Sequence, residues 1–257
     1  MLWFISIGLS DERDMSLKAL EAARKCDLLF AEFYTSKLNT TKGKLEELIG
    51  KPIRVLNREE VEEKYQNIIL EKAKNKKVGF LVGGDCLVST THLALRLDAL
   101  KQGIQTKIIH GSSIISSVAE TGLHIQKFGP FITIPFPEKT GNELPLSTYD
   151  RIRENKSRGL HSLLLLDVIS EKNKYMTPNE SIEIMLRIEG EKKGNIFTKN
   201  TEIVVFARAG SEDPLIIYGK VKELLKKDFG NPPFVLIVPG KLHFTEKEYL
   251  EFFRVSK

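Results

Sequence analysis

The chain has 257 residues, of which 41% are apolar and 28% are charged; this is the composition of a folded globular protein and excludes a disordered one. No apolar run reaches the roughly 18 residues that a membrane-spanning helix needs, so no membrane partner is expected. The net charge of +5 is mild, and basic residues are interleaved with acidic ones, which indicates a solvated surface and no nucleic-acid-binding stripe.

The amino terminus and the cysteines bear on cellular location. The apolar stretch Met1–Gly8 has no basic region before it and no cleavage site after it, and it runs into an acidic segment that begins at Asp11. It predicts a first β-strand and no signal peptide. Cys26 and Cys86 are too few for a disulfide framework or a cysteine-based metal site. These features predict a protein of the reducing cytoplasm.

The first half of the chain alternates short apolar runs with amphipathic segments, which predicts a parallel sheet with helices on both faces. The predicted strands are Leu2–Ile7, Asp27–Phe33, Ile53–Leu56, Val78–Val82 and Thr106–His110. The predicted helices are Ser16–Lys25, Glu59–Lys74, Leu93–Leu100 and Ile114–Thr121. The leucines of the third helix suit a largely buried position.

The second half begins with strands and predicts a mixed sheet with hairpin-like neighbours. Its predicted strands are Phe131–Phe136, Leu163–Val168, Glu202–Arg208, Leu215–Gly219 and Phe234–Val238. Its predicted helices are Thr148–Arg158, Asn179–Ile188, Lys220–Lys227 and a last one from Glu246. The change in pattern between Gly111 and Phe131 predicts two α/β domains, residues 1–112 and residues 113–257.

The stretch Gly83–His92 joins a predicted buried strand to a predicted helix, and such corners carry the ligand sites of open α/β sheets. Gly83 and Gly84 allow the backbone to approach a ligand closely. Asp85 presents a carboxylate at the end of the strand, and one hydroxyl of Ser89–Thr91 would cap the helix. The alternative interpretation is a tight turn in which Asp85 is a turn or capping residue.

Small or polar residues follow other predicted strands as well, in both halves of the chain. A cleft between two α/β halves, lined by backbone from several loops, is the expected result. The segments concerned are Gly8–Ser10, Gly83–Val88, Gly111–Ile114, Ala207–Ser211 and Pro239–His243.

Other chemistries lack their motifs. Gly8 stands alone where a dinucleotide site needs Gly-x-Gly-x-x-Gly, and no P-loop sequence occurs. The histidines are dispersed, so no metal site is expected. Ser10, Ser89 and Ser211 lack a nucleophile-elbow frame, and a Cys86 thiolate is disfavoured beside Asp85. The residues favour a cleft for a nucleoside-like ligand, held by main chain and one carboxylate, and they identify no catalytic residue.

Short segments in a fixed order along nearly the whole chain carry a more specific signal. They are Gly8–Asp14, Ala31–Ser36, Gly84–Asp85, Leu87–His92, Thr121–His124, Lys127–Gly129, Arg158–His161, Tyr175–Thr177, Ala207–Ser211 and Val238–His243. On these residues the chain resembles the diphthine synthase family of tetrapyrrole-methylase-like (class III) S-adenosylmethionine-dependent methyltransferases. The resemblance implies two α/β domains of the tetrapyrrole methylase type, with a parallel sheet in the first, a mixed sheet in the second and the cofactor in the cleft between them.

The resemblance also implies a reaction and its partners. Methyl groups would pass from S-adenosylmethionine to a histidine of translation elongation factor 2 that already carries an aminocarboxypropyl group. The archaeal reaction trimethylates the amino nitrogen, whereas the eukaryotic reaction also esterifies the carboxylate. Family members are homodimers. The cofactor-contacting positions carried over to this chain are Leu9, Asp85, Val88, Ser113, Ile114, Leu166, Ala209 and Phe234.

Three positions depart from the family pattern. Gly83 and Cys86 stand where relatives commonly have proline, which predicts a looser loop, and Gly111 stands where asparagine or alanine is usual. The last methylation would build a quaternary ammonium, which aromatic faces or carboxylates favour. Candidates for that wall are Glu32–Tyr34 and the region of His124; packing at the domain interface is the alternative.

Two other functions stay open at this stage. One is another class III methyltransferase, acting on a tetrapyrrole or on ribosomal RNA. The other is a non-catalytic protein that binds a nucleoside or a translation factor. The basic segment Lys220–Lys227 is a candidate docking helix for the elongation factor.

Overall fold

The computed structural model describes residues 1–255. The chain divides into two compact units, Met1–Ser117 (unit 1) and Val118–Lys257 (unit 2). The sequence-based division after residue 112 lies slightly earlier and stays a prediction.

Unit 1 contains a parallel β-sheet, as the alternating pattern predicts. Its strands are Leu2–Gly8 (β1), Leu28–Glu32 (β2), Ile53–Val55 (β3), Val78–Gly83 (β4) and Thr106–Ile109 (β5). Their order in the sheet is β3-β2-β4-β1-β5, with every pair parallel. The inner strands β1 and β4 are buried along their whole length, which explains their continuous apolar sequence.

The helices of unit 1 cover both faces of this sheet. They are Leu17–Arg24 (α1), Lys42–Ile49 (α2), Arg58–Glu62 (α3), Glu71–Asn75 (α4), His92–Lys101 (α5) and Ile114–Ser117 (α6). Phe4 of β1 lies in one hydrophobic core with Leu95 of α5. Its neighbour Ile5 lies in a second core with Ala19 of α1. Because successive side chains of a strand point to opposite faces, α1 and α5 pack on opposite sides.

The helices of unit 1 differ from the predicted ones in three ways. Glu59–Lys74 is not one helix, because residues 63 and 64 form a turn after α3, and the chain then enters a π-helical stretch, Gln66–Leu70, that leads directly into α4. The segment that forms α2 was not predicted as a helix. No side chain caps α5, so the predicted hydroxyl cap is also wrong.

The prediction that α5 is largely buried is wrong as well. Leu93, Leu97 and Leu100 are 62%, 50% and 50% exposed, whereas Leu95 is 2% exposed. The three exposed leucines are spaced by four and three residues and share one face of the helix. That face points away from the sheet, and a leucine count alone cannot reveal this.

Unit 2 is built on a mixed sheet, which confirms the prediction for this half. Its strands are Ile132–Ile134 (β6), Ser162–Leu166 (β7), Val168–Ile169 (β8), Lys174–Tyr175 (β9), Glu202–Ala207 (β10), Leu215–Lys220 (β11) and Phe234–Val238 (β12). The order is β11-β10-β12-β7-β6, in which β6 and β7 are parallel and the other pairs antiparallel. Strands β8 and β9 form a separate hairpin.

The helices of unit 2 are Leu146–Ser157 (α7), Pro178–Lys192 (α8), Val221–Leu224 (α9) and Phe244–Glu251 (α10). The predicted basic helix Lys220–Lys227 is wrong in extent, because Lys220 ends β11 and the helix stops at Leu224. In the part of the chain that the structure describes, no helix is long and apolar enough to cross a membrane.

Candidate functional site

The loops after β1 and β4 are joined backbone to backbone at the carboxyl edge of the sheet. The Gly8 N–H donates to the Gly84 carbonyl (3.2 Å), and the Gly84 N–H donates to the Gly8 carbonyl (2.7 Å). Both glycines have positive φ, +102° and +66°, which side-chain-bearing residues rarely adopt. A Cβ on Gly8 would also overlap Asp14, whereas the position of a Cβ on Gly84 is open. The chain therefore leaves these two neighbouring strands by loops whose backbone is accessible to a ligand.

This edge is the topological switch point of unit 1. The connection from β1 through α1 reaches β2 on one side, and the connection from β4 through α5 reaches β5 on the other. A crevice opens where neighbouring strands send their connections in opposite directions, and ligands of open α/β sheets bind there. The sequence-based choice of this corner as the candidate site agrees with the topology.

Asp85 is the carboxylate of this crevice. One of its oxygens, Oδ1, accepts the Leu87 N–H at 3.2 Å, so the residue is also the turn former that the alternative interpretation describes. The other, Oδ2, accepts the Gly111 N–H (3.3 Å) and lies 2.8 Å from Nδ1 of His110. Since an ionised carboxylate only accepts, Nδ1 of His110 is the donor. The Asp85 side chain is 8% exposed and that of His110 is 74% exposed.

The two peptide groups that flank the Cα of Cys86 are each held by hydrogen bonds. The Cys86 N–H donates to Oγ of Ser6 in β1 at 3.0 Å, a bond that proline, the usual residue here in the family pattern, cannot make. The Cys86 carbonyl accepts the hydroxyl of Thr90 at 3.1 Å and lies 3.3 Å from Nδ1 of His92. Burial, and secondarily the nearby Asp85, raise the pKa of the Cys86 thiol to about 11. This confirms that its thiolate is disfavoured.

The loop after β5 approaches the same edge. A Cβ on Gly111 would lie 2.6 Å from Cβ of Ser6, so in this chain only glycine fits without a shift. Ser113 is 8% exposed, and its hydroxyl accepts the Ile115 N–H at 3.3 Å. The partly buried Ile114 begins α6. The glycine that departs from the family pattern thus allows β5's loop to pack closely on β1.

The cofactor positions predicted for unit 1 lie in three loops that follow adjacent strands. Leu9 follows β1, Asp85 and Val88 follow β4, and Ser113 and Ile114 follow β5. Leu9 and Val88 are partly buried, and the Val88 N–H donates to the Asp85 carbonyl at 3.1 Å. The structure therefore brings these residues to one edge of the sheet.

The positions predicted for unit 2 also share an edge of their own sheet. Leu166 is the last residue of β7, Phe234 is the first of β12 and is opposite Ala207 of β10, and Ala209 follows β10. Leu166, Ala209 and Phe234 are 9%, 7% and 7% exposed. A cofactor cleft formed by the two halves stays a prediction.

The sequence comparisons identify the family. A profile of the Tetrapyrrole (Corrin/Porphyrin) Methylases matches residues 1–225. The chain belongs to this family. It is 46% identical to a diphthine synthase of Methanocaldococcus jannaschii over 98% of both chains, and 45% identical to one of Methanococcus maripaludis, again over 98% of both. A solved structure of a diphthine synthase is similar with a TM-score of 0.89 and 36% identity, covering 98% of this chain and 95% of that one.

This tetrapyrrole methylase is therefore a methyltransferase with the two-domain fold of its family, as the resemblance implies. Among residues 1–255, no group of three or more His, Cys, Asp or Glu side chains is placed to hold a metal ion.

The carboxylate of Glu32 does not line an open wall in this methylase. Its side chain is fully buried and accepts the backbone N–H groups of Tyr34 (2.9 Å) and Thr35 (3.0 Å). Burial raises the pKa of Glu32, and Tyr34 is 5% exposed. Both side chains are packed inside unit 1, and the wall around the methyl acceptor stays a prediction.

Sequence reasoning missed Glu246, which connects several of the family segments of unit 2. It is fully buried and accepts the N–H groups of His124 (2.8 Å) and His243 (2.6 Å), Nε2–H of His161 (2.9 Å) and the ammonium of Lys127. These donors, led by Lys127, overcome the effect of burial and hold the pKa of Glu246 at about 2. The available signal was local: Glu246 is the third residue after the helix cap His243, the spacing of a capping box.

Proposed function

We propose that this methyltransferase uses S-adenosylmethionine to trimethylate the amino nitrogen of the aminocarboxypropyl-modified histidine of translation elongation factor 2. The observation that carries the proposal is the 46% identity to a diphthine synthase over 98% of both chains. A relative that matches end to end at this level supports a shared substrate far better than a shared fold does, because one fold serves many reactions.

The crevice of unit 1 has the features that a nucleoside-like cofactor needs. Gly84 leaves open space beside its backbone, so a ligand can lie against the main chain. Asp85 adds a carboxylate that retains accepting capacity for hydroxyl or ammonium donors, since each oxygen has two lone pairs. In the proposal the cofactor contacts Leu9, Asp85, Val88, Ser113 and Ile114 in unit 1, and Leu166, Ala209 and Phe234 in unit 2.

The main task of the protein in this reaction is to position the methyl donor and the amine. S-adenosylmethionine supplies a methyl group on a sulfonium, which is already activated for transfer to a neutral amine. In each transfer an N–C bond forms, an S–C bond breaks, and the first two transfers each release one proton from the nitrogen. The chain's part is to hold the reacting atoms in line and to exclude water, which can supply most of the acceleration. No residue is assigned as a base.

The proposal includes the setting of the enzyme. The substrate is a cytoplasmic translation factor, so the enzyme acts in the cytoplasm, and we propose that it works as a homodimer. Equilibrium sedimentation of the purified protein tests the second point, for which a single monomeric species is the contrary result.

Mass spectrometry of the elongation factor tests the reaction. The factor carrying the aminocarboxypropyl-histidine is incubated with the enzyme and S-adenosylmethionine, and the modified peptide is weighed. Three added methyl masses are expected, and a fourth would show that the carboxylate is esterified as well. The factor with an unmodified histidine is the control and should gain none. No gain on the modified factor, with cofactor binding intact by calorimetry, would contradict the substrate but not the cofactor.

Two substitutions test the cofactor site. Asp85→Asn removes the charge of the crevice and should weaken S-adenosylmethionine binding by about 10-fold or more, since hydrogen bonds to charged groups contribute about 1.5–3 kcal/mol. Asp98→Asn is the matched control, because Asp98 lies near the far end of α5, bonded to the hydroxyl of Tyr65 (2.5 Å). Equal affinity of the two variants for S-adenosylmethionine would show that Asp85 does not belong to the cofactor site.

A further inference from the structure

The loop that carries Asp85 rests on a buried histidine. His92, the first residue of α5, is 1% exposed. Its ring packs edge-on against Phe80 of β4, with ring centres 5.0 Å apart and planes at 82°. Nδ1 lies 3.3 Å from the carbonyl oxygen of Cys86, the residue next to Asp85. The ring is thus fixed by the core and reaches from the core to the loop.

The contact with Cys86 defines the state of the ring. A carbonyl oxygen only accepts, so Nδ1 carries the proton. Burial lowers the pKa of His92 to about 4, so near neutral pH the ring is uncharged and Nε2 is bare. Nε2 has no hydrogen-bond partner among the described residues, and Oε1 of Glu32 lies 4.0 Å away, beyond hydrogen-bonding distance. Nδ1 of this buried ring is therefore bonded to the loop, whereas Nε2 makes no hydrogen bond to the described residues.

The Cys86 carbonyl has one other donor. The hydroxyl of Thr90 donates to it at 3.1 Å, while the N–H of Cys86, which belongs to the preceding peptide group, donates to Oγ of Ser6 in β1 at 3.0 Å. This carbonyl belongs to the Cys86–Leu87 peptide, whose N–H donates to Oδ1 of Asp85 at 3.2 Å. Rotation of this peptide would turn that N–H away from the Asp85 carboxylate. Nothing else about His92 requires an imidazole, because an apolar side chain would fill the same core position.

We infer that His92 is a positioning residue, whose Nδ1–H holds the Cys86 carbonyl and so fixes the carboxylate of Asp85 in the orientation that binds the cofactor. The inference rests on the proposed function, since the cofactor is taken to be S-adenosylmethionine. His92 does not touch the cofactor; it acts through the Cys86–Leu87 peptide, whose N–H donates to Asp85.

Asparagine and glutamine variants of His92 distinguish a role in positioning the loop from a role in filling the core. The amide nitrogen of asparagine reaches the place of Nδ1, and that of glutamine reaches the place of Nε2. His92→Asn should therefore keep the S-adenosylmethionine affinity within about 3-fold, whereas His92→Gln and His92→Leu should weaken it by about 10-fold, at the upper end of what one hydrogen bond contributes. Affinities are measured by calorimetry, and thermal melting confirms that each variant is folded.

Thr90→Val supplies a second test on a partly exposed residue, in case the buried substitutions unfold the protein. It removes the other donor to the same carbonyl and should weaken the cofactor affinity by about 3-fold. Wild-type affinity in folded Thr90→Val and His92→Leu, or equal losses in the asparagine and glutamine variants, would overturn the inference. Absence of binding by the wild-type protein would overturn the proposed cofactor itself, and with it this inference.

A spectroscopic test does not depend on the cofactor. Long-range ¹H–¹⁵N spectra of histidine-labelled protein should show His92 as the neutral Nδ1–H tautomer, without titration between about pH 6 and 8. His161 is the internal control, because its Nδ1 accepts the Gly240 N–H (2.9 Å) and its Nε2 faces Glu246, which gives the opposite tautomer. A Nε2–H tautomer or a charged ring at His92 would contradict the inference.

Discussion

Glu246 accepts a hydrogen bond of 2.9 Å from Nε2–H of His161, a residue that lies 85 positions earlier in the chain, and both side chains are fully buried. The same carboxylate is paired with the ammonium of Lys127. An uncompensated buried charge costs several kcal/mol, so each of these groups is stable in its place only because the others are present.

Glu246→Gln should lower the free energy of unfolding by about 3 to 5 kcal/mol. The amide has only one accepting oxygen, and its NH₂ group would face other donors. Urea denaturation at pH 7 measures the effect. Glu248→Gln on the same helix is the matched control, since Glu248 is exposed, and it should change stability by less than about 0.5 kcal/mol. Similar losses in both variants would contradict the central role of Glu246.

The same carboxylate predicts a pH dependence. Its pKa is about 2 in the folded protein, against an ordinary value of 4.5. A lowered folded-state pKa stabilises the protein fully above the unfolded value, and this stabilisation is lost as the pH falls from about 5 to 2. Denaturation curves across that range should show a loss of about 3 kcal/mol from this group in the wild type. In Glu246→Gln that part of the loss should be missing.

Gly111→Ala should destabilise unit 1 by about 1 to 3 kcal/mol, because the new methyl group would lie 2.6 Å from Cβ of Ser6. Gly190→Ala is the opposite case. Gly190 is in helix α8 with open space around it, so alanine there should stabilise the protein by about 0.5 to 1 kcal/mol. Thermal and urea denaturation of both variants check the two signs; a neutral Gly111→Ala would show that the loop yields easily.

Two leucines of α5 differ in burial, so their replacement by alanine should lower the free energy of unfolding by different amounts. Leu95→Ala should lower the free energy of unfolding by about 2 to 5 kcal/mol, since Leu95 is 2% exposed within the core that includes Phe4. Leu97→Ala should cost less than about 0.5 kcal/mol at 50% exposure. Denaturation of the single variants at low protein concentration measures both. A large cost at Leu97 would mean that its face of the helix is covered in solution.

Arg208 combines an unfavourable backbone with a favourable side chain. Its φ is +53°, and its guanidinium donates to the carbonyls of Phe229 (2.8 Å) and Asn231 (3.0 Å). Arg208→Ala loses these bonds and keeps the backbone strain, whereas Arg208→Gly loses the bonds but relieves the strain. The glycine variant should therefore be more stable than the alanine variant by about 1 kcal/mol, as measured by urea denaturation. The reverse order would show that the positive φ carries no strain here.

Much of unit 1 could be predicted from its sequence. Strand β4 is buried on both faces, and its continuous apolar sequence predicts this burial. The strand–loop corner at Gly84 and Asp85, the candidate ligand site, could also be chosen from the sequence, because glycines and one carboxylate at the end of a buried strand are a local signal. The identity of the family came from ordered segments, and not from periodicity.

The rest depended on which distant residues meet. Periodicity records which residues of a segment share a face, but not whether that face is covered, so the exposed leucines of α5 were misjudged. The pairing of Asp85 with His110, of His92 with the Cys86 carbonyl, and of His161 with Glu246 joins side chains from separate elements. The sequence determined the strands of both sheets and most of the helices, because hydrophobic periodicity is a local property of the chain. Only the tertiary structure decided these polar pairs, because a hydrogen bond requires atoms about 3 Å apart, and only the fold places them there.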